Sequence, residues 1–191
     1  MTRFFWVRHA PTHARTMNGW RDLAADLTDI AALNRLRAAL PAGAAIISSD
    51  LGRAVATADA IATGPRLPHD PALREINFGT WEARHFADVE AEDPARLRAF
   101  WDQPGEISAP DGESWDDLTS RVWAATDRLA AAHQGRDLIV VAHFGAILAA
   151  LQRALDVPAL QAFAQKIDPL SLTEIACDGR DWTVRRINHR V

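Results

Sequence analysis

The chain has 191 residues, 48% of them hydrophobic, with a formal net charge of −4. That length and composition support one globular domain with a sizeable core and exclude a disordered chain. No basic stretch or aromatic–basic interleaving points to nucleic acid, and the single Cys177 rules out an internal disulfide and fits a reducing compartment. The first apolar run is interrupted by Arg8 and His9 too soon for a signal peptide or a membrane span, so a cytoplasmic protein is expected.

In chain order, Phe4–Val7 is a short β-type run, with the strand starting at Thr2 or Arg3. Thr28 is expected to cap an Ala/Leu-rich helix that runs to about Leu40 and stops at Pro41 and Gly43. Ala44–Ser48 reads as a buried strand, and Ser49-Asp50 as the start of a helix to about Ala62. From Trp81 to Arg136 strand signal is sparse and helix signal strong. Asp93-Pro94 starts one helix there, and Ser114–Ala132 is another. Leu138–Ala142 is a continuous apolar run, as expected of a strand buried on both faces. A helix follows over Ala146–Leu155. Ser171–Cys177 and Thr183–Ile187 read as two closing strands joined at Asp178-Gly179. The alternation predicts an α/β fold: a three-layer α/β/α sandwich with a mostly parallel central sheet. Residues 1–191 read as a single domain, with a helical insertion over about 81–136 above the site.

Three strand ends carry similar chemistry. The first ends at Arg8-His9. The second ends at Ser48-Ser49-Asp50, with Arg53 in the next helical turn. The Leu138–Ala142 strand ends at His143, with Phe144-Gly145 opening the next helix. Ligands of open α/β sheets bind beyond the carboxyl ends of the strands, where helix N-termini offer free N–H groups to anions. If these strands are neighbours, Arg8, His9, Arg53 and His143 converge on one cationic pocket suited to a phosphate. An arginine fork can bind two phosphate oxygens there. Singly, such residues are usually solvated surface groups; at equivalent positions on three strands they are harder to dismiss. His9 and His13 are spaced like a helical metal pair, but Pro11 interrupts the spacing and Arg8 would repel a cation, so no metal is expected. The phosphate-loop, dinucleotide and nucleophile-elbow motifs are absent.

Four segments, in order, carry a family resemblance. VRHAPT resembles the arginine–histidine–glycine signature of the histidine phosphatase superfamily, which includes the cofactor-dependent phosphoglycerate mutases. SSDLGRAVATA, LREINFGTWE and VVAHFGAI resemble its later motifs. INFGTWEARHFADV, EDPARLRAFW and PDGESWDDLTSRV bring the chain nearest to the α-ribazole phosphatase branch, and the middle is too short for most phosphoglycerate mutases. Two positions depart from the pattern: Ala10 stands where glycine is usual, and Arg15 where many members carry an asparagine that touches phosphate.

The resemblance implies His9 as a nucleophile forming a phosphohistidine, with Arg8, Arg53 and His143 holding the phosphoryl oxygens and Glu75 as general acid. The bland alternative for Glu75 is an ion pair with an arginine. Gly145 is expected to offer a backbone N–H, and Thr12, Glu82 and His85 are further expected substrate contacts. Trp81, Glu82, Arg84, His85 and Trp115 are candidates for a specificity wall, with core packing equally open for the tryptophans. The implied reaction needs no cofactor. It is hydrolysis of a small phosphorylated metabolite, α-ribazole 5′-phosphate being one candidate. The alternatives are a broad sugar-phosphate or nucleotide phosphatase, a mutase, and a non-catalytic protein that binds phosphorylated ligands. Neither nucleic acid nor membrane is an expected partner.

Overall fold

The computed structural model describes every residue from Met1 to Val191. Its centre is a five-stranded sheet of β1 (Thr2–Arg8), β2 (Ala45–Ser48), β3 (Asp137–Ala142), β4 (Leu172–Asp178) and β5 (Asp181–His189), in the order β2-β3-β1-β4-β5. β1, β2 and β3 are parallel; β4 is antiparallel to β1, and β5 to β4. Four of the five strands therefore point the same way, and the sheet is mostly parallel.

Alternation along β1 builds two cores. Phe4 and Trp6 face a core shared with Leu138, Val140, Leu118, Val122 and Ile147. Phe5 and Val7 face another, with Ile139, Val141, Leu33, Leu36, Ala54 and Ile61. The period of two along a pleated strand sends neighbours to opposite faces. β3 is buried over its whole apolar run, as expected for a strand covered on both sides. Helices α1 (Ile30–Ala39) and α2 (Gly52–Ile61) cover one face. On the other lie α5 (Trp115–Ala132) and α6 (Phe144–Leu155), with α3 (Phe86–Glu92), α4 (Pro94–Asp102) and α7 (Ala159–Phe163) beside them.

The caps follow side-chain chemistry, with two corrections to the sequence reading. Asp93 caps α4 ahead of Pro94, and Ser114 with Asp117 forms a capping box on α5. Asp29, not Thr28, caps α1: its carboxylate accepts from Ala32 N–H, while the Thr28 hydroxyl donates to Asp26. Ser49-Asp50 does not start α2, which begins at Gly52 with no side-chain cap. Both potential caps have stronger tertiary partners, Ser49 with His143 and Asp50 with Arg74. α3 and α7 were not marked out in the sequence, being 7 and 5 residues long. The β4–β5 turn is centred on Gly179-Arg180, with Gly179 at φ 68°, and β5 is longer than its apolar core suggests. No helix is long and apolar enough to cross a membrane.

Register places the site. Arg8 lies opposite Ala142, and Ser48 opposite Val141. The ladder runs one step further, His9 N–H donating to Ala142 O and Ser49 N–H to Val141 O. His9, His143 and Ser49 thus emerge side by side at the carboxyl edge of three adjacent strands.

Candidate active site

His9 is buried, with its Nδ1 2.7 Å from the carbonyl oxygen of Ala10. A carbonyl only accepts, so Nδ1 carries the proton and Nε2 the lone pair. The neutral form is favoured throughout the ordinary range. Burial, then the Arg53 and Arg8 charges, push the His9 pKa down to about 3 against the raising effect of the Ala10 carbonyl. Ala10 fits without strain: it is fully buried outside the left-handed region, and its N–H donates to Thr57 Oγ1.

His143 is fully buried, its ring centroid 5.0 Å from that of His9. Its Nε2 lies 2.7 Å from Ser49 Oγ. Ser49 Oγ also accepts from Leu51 N–H at 3.4 Å. The other ring nitrogen, Nδ1, is buried and without a partner. Burial holds this pKa well below the usual histidine value, with His9 and Arg53 next in effect.

The two arginines are anchored on one side and free on another. Arg53 donates Nη2 to Gly19 O at 2.6 Å and Nη1 to Arg21 O at 2.9 Å, while its Nε lies 3.3 Å from His9 Nε2. The expected fork onto phosphate is therefore corrected for Arg53: the fork grips a loop, and the Nε edge faces the nucleophilic nitrogen. Arg8 donates Nη1 to Ile167 O at 2.6 Å and stacks over Phe144 at 5.3 Å, leaving its Nε buried and unpartnered. Neither arginine forms an ion pair. Burial lowers both pKa values from the ordinary value, with the Glu75 charge opposing it. Two guanidinium groups with no carboxylate paired to either, beside a buried and unpartnered imidazole nitrogen, suit an oxyanion.

Glu75 is buried and makes no ion pair, so the arginine-pairing alternative is not what the fold contains; Arg74 pairs instead with Asp50. Its Oε1 accepts from its neighbour Ile76 N–H at 2.9 Å. The Gly145 N–H reaches Oε1 and Oε2 at 3.0 and 3.1 Å. A Cβ at Gly145 would stand 2.3 Å from Glu75 Oε1, so any side chain there displaces the carboxylate. The Gly145 N–H is thus engaged with Glu75, not open to substrate as expected. The Glu75 carbonyl is held from outside by Arg121 Nη2 at 2.7 Å and Trp20 Nε1 at 2.8 Å. Arg121 is oriented by Glu113.

Other expected contacts are placed elsewhere. Glu82 accepts from the N–H groups of Gly19, Trp20 and Phe78, at 2.7–3.3 Å. It fastens the loop whose carbonyls grip Arg53. His85 is exposed at the start of α3, and Arg84 pairs with Glu92 at the surface. Thr12 is half-buried and makes no side-chain hydrogen bond. Arg15 is exposed. His13 is exposed and bonds Asp26, and no three metal-ligating side chains cluster anywhere. The tryptophans divide: Trp81 packs edge-on against Phe100 in the core, whereas Trp115 faces a cavity.

That cavity, about 260 Å³, is lined by Glu75, Gly145, Ile76, Leu148 and six aromatic rings. Sequence reading missed most of the rings. The pairs Phe100-Trp101 and His143-Phe144 were visible, but nothing in the sequence brings them to Phe163. Ser49, Trp20 and Arg121 were missed for the same reason.

The model of the histidine phosphatase superfamily (branch 1) matches residues 4–190. The bifunctional protein Rv2228c of Mycobacterium tuberculosis is 34% identical over 174 residues, 89% of this chain and 45% of that one. The chain thus spans less than half the length of that relative. The adenosylcobalamin/alpha-ribazole phosphatase of Salmonella typhimurium is 32% identical over 126 residues, 64% of this chain and 62% of that one. The structure of Bacillus stearothermophilus YhfR superposes with a TM-score of 0.88 at 26% identity, covering 100% of this chain and 98% of that one. With the family signature spanning nearly every residue and the two histidines set at adjoining strand ends, this chain belongs to the histidine phosphatase superfamily.

Proposed function

We propose that this chain, as a single domain, is a phosphomonoester hydrolase that works through a phosphohistidine on His9 and needs no metal. The observation that carries the reading is the Nδ1–Ala10 hydrogen bond, which leaves a neutral imidazole with its Nε2 lone pair beside two unpaired guanidinium groups. Nε2 attacks phosphorus, and the P–O ester bond breaks. Glu75, in its protonated form, gives its proton to the leaving oxygen. Water then attacks the phosphohistidine, with Glu75 taking up a proton, and inorganic phosphate leaves. Arg8 Nε, His143 Nδ1 and Arg53 Nε stabilise the charge on the non-bridging oxygens. The Arg53 Nε bond to His9 passes to a phosphoryl oxygen as attack proceeds. Losing one such donor costs about 3–4 kcal/mol in the transition state.

Among small phosphorylated metabolites, α-ribazole 5′-phosphate is the favoured candidate. Its support is the resemblance of the INFGTWEARH segment and the relative named for that activity. The cytoplasmic setting of such a metabolite suits the single, buried, unpaired Cys177.

The test is phosphate release in excess EDTA together with trapping of an acid-labile, base-stable phosphoprotein from labelled substrate, in wild type and His9→Ala. Chelator-resistant turnover and a trapped adduct, both lost in the variant, are expected. Turnover that survives in His9→Ala, or that vanishes with EDTA, would overturn the reading.

A further inference from the structure

The cavity beside Glu75 has a character the phosphate clamp does not explain. Six of its lining residues are aromatic: Phe78, Phe100, Trp101, Trp115, Phe144 and Phe163. Two pairs of these rings meet nearly at right angles. Trp115 meets Phe163 at 4.6 Å and 82°, and Phe100 meets Trp101 at 5.1 Å and 87°. Such edge-to-face contacts hold rings in fixed positions. The cavity also adjoins the clamp directly. Glu75 and Gly145 line it, and Phe144, another lining residue, carries Arg8 on its ring. A leaving group taking its proton from Glu75 has this space to enter.

The polar content of the lining is small. Glu75 is the only charged lining residue, and no lysine or arginine is present. Trp115 Nε1 is engaged with Gln152 at 2.6 Å. Trp101 Nε1 is buried without a partner. A carboxylate or second phosphate entering here would lose its water, meet a carboxylate and find no cation. A plain sugar with no aromatic part would bring several hydroxyls to a lining whose only charged side chain is Glu75. A flat apolar ring loses little and gains the faces and edges of the surrounding rings. The volume exceeds the ~150 Å³ known to admit benzene in another protein, leaving room for one ring or two fused rings.

Resting on the phosphatase reading, we infer that the aromatic cavity beside Glu75 receives the alcohol part of the substrate and selects an uncharged, flat aromatic group, with Phe163, Trp101 and Trp115 as specificity-determining residues. Phosphoglycerates and simple sugar phosphates fall outside the class.

The test compares 2-phenylethyl phosphate with glycerol 1-phosphate and 3-phosphoglycerate, none of which has an activated leaving group. Phe163 is half-buried on the short α7 and stands outside the proposed chemistry, so Phe163→Ala is the informative variant. Wild type is expected to favour 2-phenylethyl phosphate in kcat/KM by on the order of 100-fold over glycerol 1-phosphate, with 3-phosphoglycerate slowest. Phe163→Ala should lower the first rate about 10-fold and leave the second within about twofold. Binding of 2-phenylethanol alone, followed by tryptophan fluorescence, should weaken in parallel. Equal wild-type rates on the three esters without alcohol binding, or an equal loss on all three in Phe163→Ala, would overturn the inference and leave the phosphatase reading intact. Alcohol binding that weakens in Phe163→Ala, with no hydrolysis and no trapped adduct, would keep the aromatic specificity of the cavity and remove the phosphatase reading.

Discussion

Gly145→Ala is the sharpest perturbation the site offers, because its ordinary effect has the opposite sign. In a helix, replacing glycine by alanine stabilises by up to about 1 kcal/mol. At Gly145 the new Cβ would fall 2.3 Å from Glu75 Oε1, 3.2 Å from Leu118 Cδ2 and 3.4 Å from Glu75 Cδ. Ordinary contact requires the carboxylate to move by about 1 Å, since heavy atoms pack at about 3.5–4.0 Å. That movement opens the bonds from Gly145 N–H to both carboxylate oxygens. Hydrogen bonds to a charged acceptor contribute about 1.5–3 kcal/mol, so the net change is destabilisation of about 1–2 kcal/mol. For a chain of this size that lowers Tm by roughly 2–8 °C. A catalytic group misplaced by about 1 Å costs on the order of 100-fold in rate. The loss should fall on alkyl phosphates, whose leaving oxygen needs a proton, and largely spare p-nitrophenyl phosphate, whose leaving group does not. Thermal melts and kcat/KM on both esters measure this, kcat/KM reporting the steps up to departure of the alcohol and not the later hydrolysis of the phosphohistidine. In a Glu75→Ala background the carboxylate clash is gone and only the Leu118 contact remains, so Gly145→Ala should cost less there than in wild type. A Gly145→Ala protein that melts at or above wild type with undiminished turnover of alkyl esters would refute the reasoning.

Two further predictions follow from the same geometry. Both histidine pKa values are depressed on folding, so from about pH 6.5 down towards 3 the unfolded chain binds protons that the folded one excludes. Stability is therefore lost as pH falls through that window, by up to about 1.4 kcal/mol per pH unit for each histidine. Melting curves of wild type should drop faster between pH 6.5 and 5 than those of His9→Asn, and parallel curves would contradict the assignment. Glu82 fixes the loop that grips Arg53, so Glu82→Ala should lower kcat about 10- to 100-fold and cost about 1–3 kcal/mol by leaving backbone N–H groups unpaired. Glu82→Gln retains an acceptor oxygen and should recover most of both; full kcat in Glu82→Ala would show that Arg53 is held without it.

What the sequence made legible was what neighbouring residues decide. The apolar run Leu138–Ala142 marks a doubly covered strand because burial on both faces needs no alternation. Arg8, His9 and His143 could be brought together because parallel strands present their carboxyl ends on one edge. Legibility failed where a distant partner outcompeted a local one. Ser49 and Asp50 are good helix caps, but His143 and Arg74 engage them. Glu82 lies near the site as expected, yet its carboxylate faces backbone N–H groups. The aromatic cavity draws on separate segments from Ile76 to Phe163 with no shared period, so only the folded chain reveals it.

Strand β1 occupies the middle of the sheet, and its partners lie far along the chain. Arg3 meets Asp137 across 134 residues, and Thr2 lies opposite Cys177. Contacts so remote in sequence make folding slow, because loop closure must precede their reward. During synthesis the Phe4–Val7 segment stays without its neighbours until β3 and β4 have been made. An exposed apolar β segment of this kind is prone to aggregate and suits chaperone capture. His9 and His143 acquire their shared edge only once β3 has been made, so nascent chains ending before β3 lack both His143 and the strand that aligns it with His9.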